Sequence, residues 1–166
     1  MTVNAVQKDT DALTMIVSTD LDATPERVWQ LWADPRQLER WWGPPSYPAT
    51  FTHLELKPGG EAHYYMTGPT GDTPKGGWYI VETDPPHRIF IKDFFETQTG
   101  VPDPDFPIGA MHVTIEDIGN GKTRMSIKSE FPDLESMEKL LAMGQEEGMV
   151  EAMGQIDAIL AEAVPA

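Results

Sequence analysis

The stretch Met111 to Phe131, MHVTIEDIGNGKTRMSIKSEF, decides how the rest of the chain is read. Two alternating runs flank Gly119-Asn120-Gly121, residues that accept left-handed backbone in a tight turn, so the segment predicts an antiparallel hairpin. If the turn sets Ile115 opposite Met125, Glu116 meets Arg124 on one face, and Met111, Val113, Ile115, Met125 and Ile127 share the other. The charged face is the wet one. A slip of one residue would exchange the faces, so the pattern specifies register as well as strand identity.

The same period continues upstream. Ala49 to Leu56, Glu61 to Met66, Gly77 to Thr83 and Arg88 to Phe95 all read as strands separated by Gly and Pro clusters. With the two strands of the hairpin they form an antiparallel meander. Pairing Glu82 with Arg88 across Asp84-Pro85-Pro86-His87 sends Tyr79, Val81, Ile89, Ile91, Asp93 and Phe95 inward. Pairing across Lys57-Pro58-Gly59-Gly60 buries Leu54, Leu56, Tyr64 and Met66 and leaves His53, Glu55, Glu61 and His63 outside.

Nearer the N-terminus, Leu13, Met15, Val17 and Leu21 mark a further strand, preceded by polar, aperiodic residues 1–11 that read as a frayed tail. Residues 12–166 then read as one domain, with seven strands in an α+β fold. Thr24-Pro25 and Asp34-Pro35 are cap-and-start signals for two short helices, ending near Ala33 and Arg40. Downstream of the hairpin the period changes. Asp133 caps a helix carrying Leu134, Met137 and Leu141, and after an interruption at Gly144 a longer helix carries Met149, Met153, Ile156 and Leu160. That stripe needs an apolar surface, and the sheet offers the only one large enough. The expected product is an apolar cavity between sheet and helix.

Several of these segments resemble one family in order and spacing. They are Ala23 to Trp42 (ATPERVWQLWADPRQLERWW), then Gly43-Pro44, Lys57-Pro58-Gly59-Gly60, Met66-x-Gly68-Pro69-x-Gly71, and Glu147-Gly148. The chain is similar from about Leu13 to Leu160 to the activator of heat-shock-protein-90 ATPase homologue-like domain, a branch of the START-like (SRPBCC) helix-grip superfamily. The resemblance implies a curved sheet wrapped around a long C-terminal helix, closed at one end by two short helices. It implies a fold more firmly than a function, since many single-domain members have no assigned reaction. Members often carry tryptophan directly after the glycine of the final helix. Here the residue is Met149, a softer wall for a cavity. The sequence shows no second domain of the kind that eukaryotic co-chaperones use to grip their chaperone, so chaperone interaction is not the leading expectation.

Composition narrows the partners. Lys and Arg total 12 against 27 Asp and Glu, a formal net charge of −15, which repels phosphate backbones and anionic membrane surfaces. Nucleic acid and membrane are therefore not expected partners. There is no cysteine, which removes disulfides, thiolate nucleophiles and Cys-based zinc sites. No phosphate loop, dinucleotide fingerprint or Ser-His-Asp arrangement occurs, so no cofactor is expected. With no signal segment or apolar run of spanning length, the reading is cytoplasmic.

The candidate ligand-binding residues are Tyr64, Met66, Tyr79, Asp93, Phe95, Met111, Met125, Met149 and Met153. Asp93 is the one carboxylate on an otherwise apolar inner face. Either it bonds a Tyr or backbone group near the cavity mouth or is turned to solvent by a bulge, or it anchors a ligand or acts as a base. Tyr64 and Tyr79 bring hydroxyls that either orient a guest or lie at the rim of an ordinary core. The methionines suit guests of varied shape, and equally an irregular closed core. Of the five tryptophans, Trp41 is taken as the possible cavity neighbour, and Trp29 and Trp32 as packing. His53, His63, Glu55 and Glu61 form a polar outer patch, read as solvated and without metal. The proline-rich Thr97 to Gly109 (TQTGVPDPDFPIG) is a lid, a dimer contact or a rigid surface loop.

These residues support a non-catalytic binder of a small hydrophobic molecule. Two other classes stay open: an enzyme (lyase, cyclase or hydrolase) acting on a hydrophobic substrate, and a co-chaperone-like interaction module. A homodimer is compatible with either.

Overall fold

A computed structural model describes residues 3–162. The chain forms an α+β fold in which a single antiparallel sheet has one face covered by helices. Eight strands run in the order β1 (Val3–Asp9), β2 (Thr14–Leu21), β8 (Lys122–Glu130), β7 (Gly109–Gly119), β6 (Arg88–Glu96), β5 (Lys75–Asp84), β4 (Glu61–Met66), β3 (Ala49–Leu54). The helices are α1 (Pro25–Ala33), α2 (Pro35–Trp41), α3 (Leu134–Ala142), α4 (Gln145–Met153) and α5 (Ile156–Ala161).

The expected seven strands become eight because Val3–Asp9, within the segment read as a tail, pairs with β2. Residues 1 and 2 of that tail lie outside the described residues. The strand escapes a periodicity search because it is a sheet edge: from Val6 to Asp9 every side chain is exposed. Its backbone ladder, an Asp9 carboxylate accepting from the N–H groups of Asp11 and Ala12, and an ion pair from Lys8 to Glu146 hold it.

The hairpin that opened the reading has the expected register, with Ile115 opposite Met125 and Glu116 opposite Arg124. Met111, Val113, Ile115, Met125 and Ile127 are buried, while Glu116 and Arg124 are exposed. The β5–β6 register departs from expectation. Asp84, not Glu82, faces Arg88, and the ladder shifts between Ile80 and Glu82, leaving Val81 as the extra residue of a bulge. Beyond that bulge the faces of β5 exchange. Trp78 and Ile80 turn inward, whereas Tyr79 and Val81 lie on the outer face at 38% and 37% exposure. Tyr79 packs on Phe94 there, with ring centroids 4.7 Å apart.

The C-terminal helix is two segments rather than one long rod. Gly154 and Gln155 keep right-handed helical angles, but the Gln155 N–H bonds to the Ala152 carbonyl three residues back, tightening the turn. Gln155 then donates its amide to the Gly43 carbonyl at 2.7 Å, tying the break to the corner after α2. Before it, Gly144 at φ 93° takes the left-handed conformation that ends α3 and redirects the chain into α4. Met153 and Ile156 are fully buried in the core that also holds Met15, Met125 and Trp32.

Across the inner face the side chains stand in rows. One row runs Leu54, Ala62, Trp78, Asp93, Gly109. The next runs Ile80, Ile91, Met111, Ser129, Met15. These rows place the site.

Candidate functional site

Where the rows pass beneath α3 and α4, the structure leaves a cavity of about 300 Å³. Of the candidates read from the sequence, Tyr64, Met66, Asp93, Phe95, Met111 and Met149 line it. Three other candidates do not. Tyr79 is on the opposite face because of the bulge at Val81. Met125 is fully buried in the core, its sulfur accepting from the Trp32 indole N–H at 3.3 Å, and Met153 is buried in the same core. Among the tryptophans, Trp42 and not Trp41 meets the cavity; Trp41 is fully buried and its N–H donates to the Leu31 carbonyl at 3.0 Å.

Asp93 occupies a gap in its row. Trp78 fills one side, and on the other Gly109 has no side chain: a Cβ there would lie 2.9 Å from Asp93 Oδ1. Burial pushes the Asp93 carboxyl up to about 6, opposed only by a hydrogen bond from its own backbone. Asp93 is half-buried and lines the cavity. Of the structural alternatives for Asp93, the backbone partner is present, since the carboxyl accepts a hydrogen bond from its own backbone. The strand does not turn it to solvent, and no other side chain hydrogen-bonds it among the described residues.

Tyr64 lies beside Gly76, where a Cβ would come within 2.4 Å of the tyrosine oxygen. Burial raises its hydroxyl pKa, so it keeps its proton. The Trp42 indole N–H lies near enough to that oxygen to favour the phenolate slightly, yet the two do not meet hydrogen-bond geometry. Three polar atoms on the cavity wall are thus buried and without a protein partner: Trp42 Nε1, Ser129 Oγ and Gln145 Oε1. Ser129 is only 3% exposed. Buried polar groups are nearly always paired, so three unpaired ones among the residues lining a single cavity stand out.

The loop between β6 and β7 supplies the rim. Phe106 packs on Phe95 with centroids 4.8 Å apart, and Lys139 of α3 reaches over the Phe106 ring at 4.7 Å and donates to the Asp105 carbonyl at 3.0 Å. Pro107 from the same loop lines the cavity. The loop is therefore pinned between a strand and a helix at the mouth.

On the outer face His53 and His63 are cross-strand partners as expected. His53 pairs with Glu55, and His63 lies 3.3 Å from Glu61 and 3.0 Å from the buried Glu96. Among the described residues, no three such groups are placed to hold a metal ion. No described helix is long and apolar enough to cross a membrane.

Ser129, Trp42, Gln145 and Gly109 were not among the sequence candidates. Ser129 had a signal: it continues the 125, 127, 129 alternation of the hairpin's inner face. The other three depend on the helix crossing and a bulged register, which no local pattern encodes.

A family model described as activator of Hsp90 ATPase homolog 1-like protein matches residues 22–161. Among solved structures, a protein from Arthrobacter aurescens is 44% identical with a TM-score of 0.93, the match covering 98% of this chain and 94% of that one. A protein from Mycobacterium smegmatis is 38% identical with a TM-score of 0.89, covering 98% and 99%. A protein from Rhodobacter sphaeroides, 22% identical with a TM-score of 0.80 and covering 95% and 99%, shares the fold. No curated protein is significantly similar in sequence.

Proposed function

The chain belongs to the activator of Hsp90 ATPase homolog 1-like family, and on that premise we propose that it is a binding protein for a small hydrophobic molecule, held between α3–α4 and the inner face of the sheet. One observation carries the reading: a cavity of about 300 Å³ with mostly apolar walls, lined also by a few residues whose polar atoms have no protein partner. That is the usual make-up of a small-molecule site. A guest that buries about 200 Å² of apolar surface gains roughly 5 kcal/mol before association costs, so affinity also depends on how well the polar atoms are met.

Native mass spectrometry of gently purified protein should find a retained guest, and a lipophilic dye should fluoresce in the cavity and be displaced by small apolar compounds. If a broad lipophile set neither binds nor displaces the dye, the binding role is wrong.

Asp93 favours a second reading, catalysis on the bound molecule, because a carboxyl raised to about 6 can hold or take a proton near neutral pH. Mass analysis of a retained guest before and after long incubation distinguishes the two. An unchanged guest supports binding alone.

A further inference from the structure

Among the described residues, the cavity is lined by two carboxylates, Asp93 and Glu130, and by no Lys, Arg or His. Glu130 has a partner outside the cavity, the His112 ring. Asp93 has none but its own backbone, and no cation acts on it. The same cavity is lined by Ser129 and Gln145, whose side-chain oxygens are buried and unpartnered, and by Tyr64, Phe95 and Trp42.

We infer that the guest is a lipophilic amine, its protonated nitrogen set against the Asp93 carboxylate and its apolar body against the methionine and aromatic walls. This rests on the binding role proposed above and gives that role a ligand class. The chemistry is complementary at each point. A buried carboxylate without a cation is costly, and a guest cation removes that cost. An ammonium carries several N–H donors and no acceptor, and Asp93 offers it a cavity-lining carboxylate on which no protein cation acts. Aromatic faces attract cations further. A net charge of −15 draws cations toward the protein and repels fatty acids and other anionic lipophiles.

Three compounds of one shape separate the possibilities: 4-phenylbutylamine, 4-phenylbutan-1-ol and 4-phenylbutyric acid, titrated at pH 7.5 by calorimetry and by quenching of tryptophan fluorescence. The amine should bind at least about tenfold more tightly than the alcohol, as a charge-assisted contact in an apolar site requires, and the acid should bind weakest. Asp93→Asn should bring amine and alcohol together. Equal or tighter binding of the alcohol to the unaltered protein overturns the inference while leaving the cavity's binding role intact. An amine preference that survives in Asp93→Asn also overturns it, because attraction by the acidic surface alone would then explain the result. If none of the three displaces a dye that other lipophiles displace, the ligand class is wrong; if no lipophile displaces it, the binding role itself is wrong.

Discussion

The inner face of the sheet has two ends built on opposite principles. At the α1–α2 end, Trp32 sits against Trp41, Trp42 and Trp78 with ring centroids 4.9, 6.0 and 5.9 Å apart. The Trp32 N–H finds the Met125 sulfur and the Trp41 N–H finds the Leu31 carbonyl. At the α3–α4 end, Asp93, Ser129 and Gln145 line a cavity, and Ser129 Oγ and Gln145 Oε1 have no protein partner. The first end is filled by indoles, although the Trp42 and Trp78 N–H groups have no protein partner, whereas the second borders a cavity. The first therefore supplies stability, and the second spends some of it on a site.

The most severe way to test that contrast is to empty the filled end. Trp32→Ala removes a fully buried indole and its ring contacts with three others, so it should destabilise the protein by about 3–5 kcal/mol in denaturant unfolding. Met149→Ala, on the cavity wall, should cost far less because Met149 already borders a void. Similar costs at the two positions would mean that both ends are equally packed.

A second test reverses the sign. The Asp93 carboxyl ionises at about 6 in the folded chain, well above the usual aspartate value of 3.8. Between these values the folded state holds a proton that the unfolded state has released. Folding is therefore opposed increasingly as pH rises from about 4, and the full cost is reached above about 6. A shift of this size corresponds to at most about 3 kcal/mol, less whatever water in the cavity recovers. Asp93→Asn should accordingly be more stable than the unaltered protein at pH 7.5 and lose that advantage as pH falls through the same window. Thermal unfolding of both proteins from pH 4 to pH 8 measures it. A mutant less stable at every pH would show that Asp93 has a structural partner.

The filled end and the sheet were legible in sequence where local chemistry decides geometry. Thr24-Pro25 and Asp34-Pro35 start α1 and α2 as written, each with its cap side chain accepting from the helix. The Gly119-Asn120-Gly121 turn predicts the pairing of Ile115 with Met125. Legibility ends where a register shift or a long-range crossing takes over. The bulge at Val81 exchanges the faces of β5, so alternation counted back from the Pro85-Pro86 turn assigns Tyr79 to the cavity and misses Trp78. Trp41 and Trp42 are adjacent at the end of α2, and their different surroundings depend on where α2 meets β3 and β4. Val6 to Asp9 of β1 are all exposed and so leave no alternating pattern.

The finest test concerns one oxygen. Ser129 Oγ lies on a wall that is 3% exposed at that residue and has no protein partner, a loss of about 1 kcal/mol or more if the site is dry. Ser129→Ala deletes the oxygen and leaves a methyl group that the neighbouring Met111 and Met15 tolerate. The empty protein should gain up to about 1 kcal/mol, a small rise in unfolding temperature. The same change should weaken a guest whose polar group uses that oxygen, because the donor of the guest then enters the cavity unpaired. Stability and affinity must therefore move in opposite directions at this one position. If Ser129→Ala instead destabilises the empty protein, the hydroxyl is already satisfied by ordered water, and the open end is less strained than its protein contacts imply.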